Sequence, residues 1–293
     1  MLLRLFIFLN CFFIPLIVKG VVNGDTTKNS HTLNPRDQFL KIGASAGWFA
    51  VRDYETSPLI YRGLLPGFQI GTFFQGPKMI ILFDYNFSYG SQATRNYPIY
   101  DGNLATAYNN ILNISVAHHI SLGVNAKTKL YLGGNFGMIA NFRDNLKFNN
   151  ANFNYEGFAT FGPMVLFEKE LNLLPHHLNM AFFRWPLRNR TLKLSTSLSV
   201  PVIGLVSRLP YTTIGDFVDG VSPSFSFRQL KPVSFDYLFN LISTSSVSYY
   251  LRNGNRFMLS YQWYYYNYYP SINQVRGVAG IFAISFLFRL NKM

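Results

Sequence analysis

From Gln38 onward, apolar and polar residues alternate with a period of two, the spacing that sends successive side chains to opposite faces of a strand. Between Ala107 and Ser121 one face carries Tyr108, Leu112, Ile114, Val116 and Ile120; the other carries Asn109, Asn113, Ser115, Ala117 and His119. The next segment sets Leu130, Leu132, Phe136, Met138 and Phe142 against Lys127, Lys129, Tyr131, Asn135 and Asn141. Thr191 to Val202 is the clearest run, with Leu192, Leu194, Leu198, Val200 and Val202 opposing Thr191, Lys193, Ser195, Ser197 and Ser199. A helix would mix these faces, because its side chains repeat every 3.6 residues.

Strands of this kind are predicted near 38–51, 64–76, 78–91, 105–121, 127–143, 154–168, 190–206, 234–251, 256–269 and 276–290. The fold class expected is all-β: a transmembrane, antiparallel, up-and-down β-barrel of about 10–12 strands. Short turns at Gly76-Pro77-Lys78 and Arg252-Asn253-Gly254-Asn255 fall at one end, and Asn-Gly predicts a two-residue hairpin. Longer links near 52–63, 92–104, 144–153 and 207–233 fall at the other. Glu168 to Asn189 is too long for a turn, and His177 to Trp185 can form a further strand. With a partner from the 207–233 loop, that strand would raise the count to twelve.

The N-terminus follows a different pattern. Arg4 precedes an apolar run from Leu5 to Val18, broken by Pro15 and followed by Gly20, which reads as a secretory signal. The expected organisation is a signal peptide over 1–24, a polar periplasmic lead-in over 25–37 and a barrel over 38–293. No later apolar run is long enough for a helical span of about 20 residues, so any further insertion must use strands.

Composition sharpens this picture. The chain is 49% hydrophobic and 17% aromatic but only 13% charged, against about a quarter charged for a soluble domain. A barrel places such residues on a lipid face and in two aromatic girdles. Trp263, Tyr264, Tyr265, Tyr266, Tyr268 and Tyr269 are the girdle candidates. The formal charge of +13 comes from scattered basic residues without a Lys/Arg run, which argues against nucleic acid and suits an anionic envelope. The single cysteine, Cys11, lies in the signal, so the processed chain has no thiol chemistry.

The last strand ends in Phe286-Leu287-Phe288-Arg289-Leu290 and resembles the closing strand that barrel-insertion machinery recognises, although Asn291-Lys292-Met293 follow it. The block Leu194-Ser195-Thr196-Ser197-Leu198-Ser199-Val200-Pro201-Val202-Ile203-Gly204, with the stretch from Leu209-Pro210-Tyr211, resembles uncharacterised outer-membrane barrel proteins of Bacteroidetes. That resemblance implies a barrel in the bacterial outer membrane and carries no catalytic residue across.

Candidate chemistry is sparse. Ser115, His118, His119 and Ser121 are the elements of a lipid esterase, but Ser121 and His119 share the inward face, away from lipid. Adjacent histidines, His118-His119 and His176-His177, point to opposite faces of a strand and offer one metal ligand each. No cofactor motif and no metal set is predicted. Candidate lumen-lining residues are Lys41, Asp84, Lys127, Lys129, Glu156, Lys193, Asp236, Arg256 and Arg289. The expectation is a filled or narrow barrel serving the envelope as a structural or binding component. Its partners would be outer-membrane lipid, lipopolysaccharide and a protein met through the 207–233 loop. A small-solute, anion-preferring pore and a lipid esterase or deacylase are the alternatives.

Overall fold

The computed structural model describes residues 37–54, 57–94, 104–121, 128–145, 153–173, 176–180, 183–187, 190–208, 230–270 and 274–290. The segments expected to be a signal peptide (1–24) and a lead-in (as far as 36), with most of the long links, lie outside the described residues. The strands are β1 (Asp37–Asp53), β2 (Ser57–Gln75), β3 (Met79–Thr94), β4 (Leu104–Ile120), β5 (Thr128–Asp144), β6 (Phe153–Leu173), β7 (His176–Met180), β8 (Phe183–Leu187), β9 (Arg190–Ser199), β10 (Ile203–Arg208), β11 (Lys231–Ser234), β12 (Leu238–Tyr250), β13 (Arg256–Tyr268) and β14 (Val275–Arg289). Among the described residues no helix is long and apolar enough to cross a membrane.

Neighbours in sequence pair antiparallel from β1 to β6, and β12, β13 and β14 continue the meander. Two pairings close it into a barrel: β1 with β14, from Phe39–Arg289 to Asp53–Val275, and β6 with β9. The wall has ten strand positions, because β9 and β10 occupy one position and β12 and β11 the next. One end, called the turn end here, carries the start of β1, the end of β14 and the turns at 76–78 and 251–255. At the opposite, loop end the β1–β2 link spans only 54–56, where a longer link over 52–63 was expected, and the links leading into β4, β6 and β11 are longer.

The β9–β10 break is a β-bulge. Ser199 faces Met164 and Ile203 faces Phe161, so four residues on one strand span three on β6. The backbone ladder persists, with Val200 N–H bonded to Pro163 O and Val202 N–H to Phe161 O. The extra residue exchanges the faces. Before it, Lys193 and Ser199 point inward; after it, Val206 and Arg208 do.

The β12–β13 turn differs from the two-residue hairpin expected. Leu251 N–H bonds Asn255 O and Gly254 N–H bonds Leu251 O, leaving Arg252, Asn253 and Gly254 in the loop. Gly254 takes φ +84°, the left-handed conformation that closes a three-residue hairpin loop. The turn at Gly76 closes directly, with Gly76 N–H on Met79 O.

The alternation sorts side chains as the sequence predicts. Outward positions hold large apolar residues around the wall, including Leu64 (67% exposed), Ile70, Phe83, Val116, Phe136, Val165, Leu198, Leu259 and Phe282 (55%). A soluble monomer rarely exposes a contiguous apolar patch beyond about 300–600 Å². The interior holds Phe49, Leu65, Ile111, Ile139, Phe158, Ile242, Tyr264 and Ile281 as one cluster. Among the described residues β7 and β8 pair only with each other, so the expected extra strand at 177–185 makes a separate hairpin and does not widen the barrel.

Candidate functional site in the barrel lumen

At the loop end a network of charges crosses the lumen. Asp53, last residue of β1, accepts hydrogen bonds from Arg143 of β5 (2.7 Å), Asn154 of β6 and Arg208 of β10 (2.6 Å). These strands stand on the far side of the ring from β1. Glu156 of β6 accepts from Asn141 (2.9 Å) and from the Tyr266 hydroxyl, and lies 3.6 Å from the Arg143 guanidinium. Two carboxylates therefore face two guanidiniums, all buried, with Asp53 2% and Glu156 1% exposed. Burial makes such charges costly unless they are paired and hydrogen-bonded; each of the four is ion-paired, while Glu156 Oε2 and Arg143 Nη1 carry no hydrogen bond among the described residues.

Tyr266 crosses from β13 through a gap left by a glycine. A Cβ on Gly277, its cross-strand neighbour, would lie 2.1 Å from the Tyr266 ring. The same ring packs on Phe158 at 4.9 Å between centroids, and Phe49 of β1 meets Tyr264 at 6.2 Å. Between these groups a void lined by Gln92, Asn109, Asn141, Arg143 and Glu156 has room for about one water molecule.

The turn end has its own layer. Lys193 of β9 pairs with Glu168 at 2.6 Å and reaches across to Gln75 of β2 at 3.3 Å. Arg289 pairs with Asp37 at 2.6 Å, and Lys41 pairs with Asp84. Arg256 is buried among rings, with its guanidinium carbon 3.9 Å from the Phe39 centroid, 4.4 Å from Tyr250 and 5.5 Å from Phe73. Cation–π attraction offsets part of the cost of drying that charge. Between the two ends, Ser45–Asn86 (2.9 Å), Ser115–Asn135 (2.8 Å) and Gln69–Ser285 (3.3 Å) link polar side chains of the wall.

Such a closed, antiparallel barrel of ten positions, apolar outside and polar or aromatic inside, is an up-and-down barrel of the transmembrane type. No protein-family model matches the chain, and no curated protein sequence matches it either. Among solved structures it is similar to the outer membrane protease OmpT of Escherichia coli, at 9% identity and a TM-score of 0.44, over 90% of this chain and 100% of that one. It is also similar to the transport unit of the autotransporter AIDA-I of Escherichia coli (8% identity, TM-score 0.36, 90% of this chain and 93% of that one). A third similarity is to the attachment invasion locus protein Ail of Yersinia pestis (8%, 0.31, 87% and 100%).

The residues singled out in the sequence divide as follows. Lys41, Lys193 and Arg256 are buried on the inward face, as is Glu156; Asp84 and Arg289 pair there with Lys41 and Asp37. Lys129 sits 3.9 Å from Glu170 and is partly exposed, and Lys127 lies outside the described residues. Asp236 does not line the lumen. It sits exposed in the turn between β11 and β12, where the strand is interrupted and its alternation stops.

The aromatic cluster also splits. Tyr264, Tyr266 and Tyr268 are buried inside, whereas Tyr269 is exposed and Trp263 and Tyr265 occupy the outward face. A run of adjacent aromatics on one strand cannot form one girdle, because alternate residues must enter the core. Ser115 and His119, four residues apart on β4, are separated by about 13 Å at strand rise. Ser115 accepts from Asn135, and the His119 ring lies 5.3 Å from that of Tyr131, so this wall assembles no proton relay between them. No group of three or more metal-ligating side chains occurs among the described residues.

Asp53, Arg143, Asn154 and Arg208 are the members of the loop-end network that the sequence reading passed over. Arg143 keeps the inward parity of Asn135 and Asn141, a signal that was available. Arg208 was concealed, because counting in twos from Lys193 without the bulge points it outward.

Proposed function

We propose that this chain is a filled, non-transporting and non-catalytic β-barrel of the bacterial outer membrane, serving the envelope as a structural or binding component. The observation that carries the reading is the bridging of the lumen from opposite walls at both ends, by Asp53–Arg143–Arg208 and by Lys193–Gln75. A barrel of eight strands is filled by its own side chains and one of 16 or more holds a channel; at ten positions the side chains decide. Membrane location is supported by the apolar exterior and by closure, which leaves no backbone edge unpaired in lipid. The block around Leu194–Gly204 keeps its likeness to Bacteroidetes barrels as the reading of its source. Binding would belong to the loop end, including the 207–233 link, of which 209–229 lies outside the described residues.

The test is single-channel conductance of the refolded chain, residues 25–293, in planar bilayers. A folded barrel that passes no steady current supports the reading. Stable, anion-preferring steps that change when Lys41 or Lys193 becomes Glu would replace it with a narrow pore.

A further inference from the structure

On the outer face at the loop end, three arginines stand on adjacent strands. Arg52 of β1 lies opposite Arg276 of β14 in the register, and Arg62 of β2 lies opposite Ala50, two residues below Arg52 on the same face. Their sequence neighbours Val51, Asp53, Tyr61 and Val275 are buried inside, so the three arginines point outward. Like charges directly opposite on neighbouring strands destabilise a sheet. Among the described residues of β13, β14, β1, β2 and β3 the acids are Asp37, Asp53 and Asp84. Asp37 and Asp53 are buried in the lumen and Asp84 pairs there with Lys41, so these strands bring no carboxylate to the arginine face.

The contacts made by the guanidiniums include neutral groups. Arg52 lies 4.5 Å over the Tyr54 ring, and Arg276 Nε donates to Asn267 Oδ1 at 2.8 Å. Arg62 Nε is buried and carries no hydrogen bond among the described residues. Directly beneath, the apolar exterior begins: exposed Leu64 faces Trp48, and exposed Phe282 faces Ala46. A ligand matching this sector is anionic above and oily below, which describes a phosphorylated lipid and not a free anion. Arginine suits the upper part, because its planar fork holds phosphate through paired hydrogen bonds. Bacterial barrels keep short turns in the periplasm and longer loops outside, an orientation in which the loop end meets the outer leaflet and its lipopolysaccharide.

We propose that the outer face of β14–β1–β2 at the loop end is a lipopolysaccharide site, with Arg52, Arg62 and Arg276 holding a lipid A phosphate and the wall below taking its acyl chains. The inference rests on the outer-membrane reading above and names the lipid that this sector would hold.

The test is native mass spectrometry of the folded full chain released from detergent and titrated with diphosphoryl lipid A. We expect one lipid A to stay bound, and the affinity to fall at least tenfold for the dephosphorylated lipid. The same fall is expected for lipid A on Arg52→Gln/Arg276→Gln or on Arg62→Gln, whereas Lys231→Gln, exposed on β11, should bind as the parent does. Equal retention of the phosphate-free lipid by the parent, or undiminished binding by heat-modifiable arginine variants, would overturn the site. Phosphatidylglycerol bound as tightly as lipid A would overturn lipopolysaccharide as its occupant. The membrane reading is checked apart, in phosphatidylcholine vesicles that hold no anionic lipid. A chain that does not insert there would overturn that reading; one that inserts but ignores lipid A would overturn the site alone.

Discussion

Asp53 holds three side chains of the far wall at the loop end. It is 2% exposed and faces two guanidiniums from the far wall. Removing one partner from a buried ionic group leaves uncompensated charge, typically at a cost of about 3–5 kcal/mol. Asp53→Ala is therefore expected to lower unfolding stability by that order, read from urea midpoints of the refolded barrel. Joining it with Arg208→Met should recover most of the loss, since Arg143 keeps Glu156 as its partner and no charge is orphaned. If the double variant proves no more stable than the single one, the cost lies in packing and not in charge. Most inward residues of this kind were legible in the sequence. Lys41, Glu156 and Lys193 follow from counting in twos along unbroken strands. What could not be read was the partner, because Asp53 meets Arg143 and Arg208 at 90 and 155 residues' separation. Only ring closure sets which walls face each other.

The bulge at Val200–Val202 is where element-level reading failed. The leucine–serine alternation of β9 is the plainest strand signal in the chain, yet its continuation points the other way. One extra residue shifts register against β6, and Pro201 within it can donate no ladder bond. Gly162 opposite is needed for the close approach, since a Cβ there would come within 2.4 Å of Pro201. Deleting Val200 removes the extra residue, so Ile203 stays opposite Phe161 on a regular ladder and Val206 and Arg208 still face inward. The loop-end network is then kept, and the compact, heat-modifiable form on unheated gels should appear in a yield close to that of the parent chain. A sharp fall in yield would show that the bulged backbone itself is required. The β7–β8 hairpin was half legible: strand character was visible, but the choice between joining the wall and standing apart depends on neighbours that end first.

For the molecule as a whole, strand count and exterior were legible because both follow from period two, whereas the pairs of side chains that bridge the lumen were not. Filling depends on side chains reaching across from strands remote in sequence, as Lys193 and Gln75 do at 118 residues' separation. Ring closure itself has a further effect. The first strand and the last are bonded along nearly their whole length, from Phe39–Arg289 to Asp53–Val275. No closed wall can exist until residue 275 and those after it are available, so every shorter chain carries two sticky borders. Chains ending at Gln274 should aggregate or be degraded in the cell, and should form no heat-modifiable species in detergent. If such chains gave a compact species, β13 and β1 would be able to seal the ring alone. Until its final strand is present the chain is thus an unfinished hoop, and its need for protection from aggregation lasts until β14 meets β1.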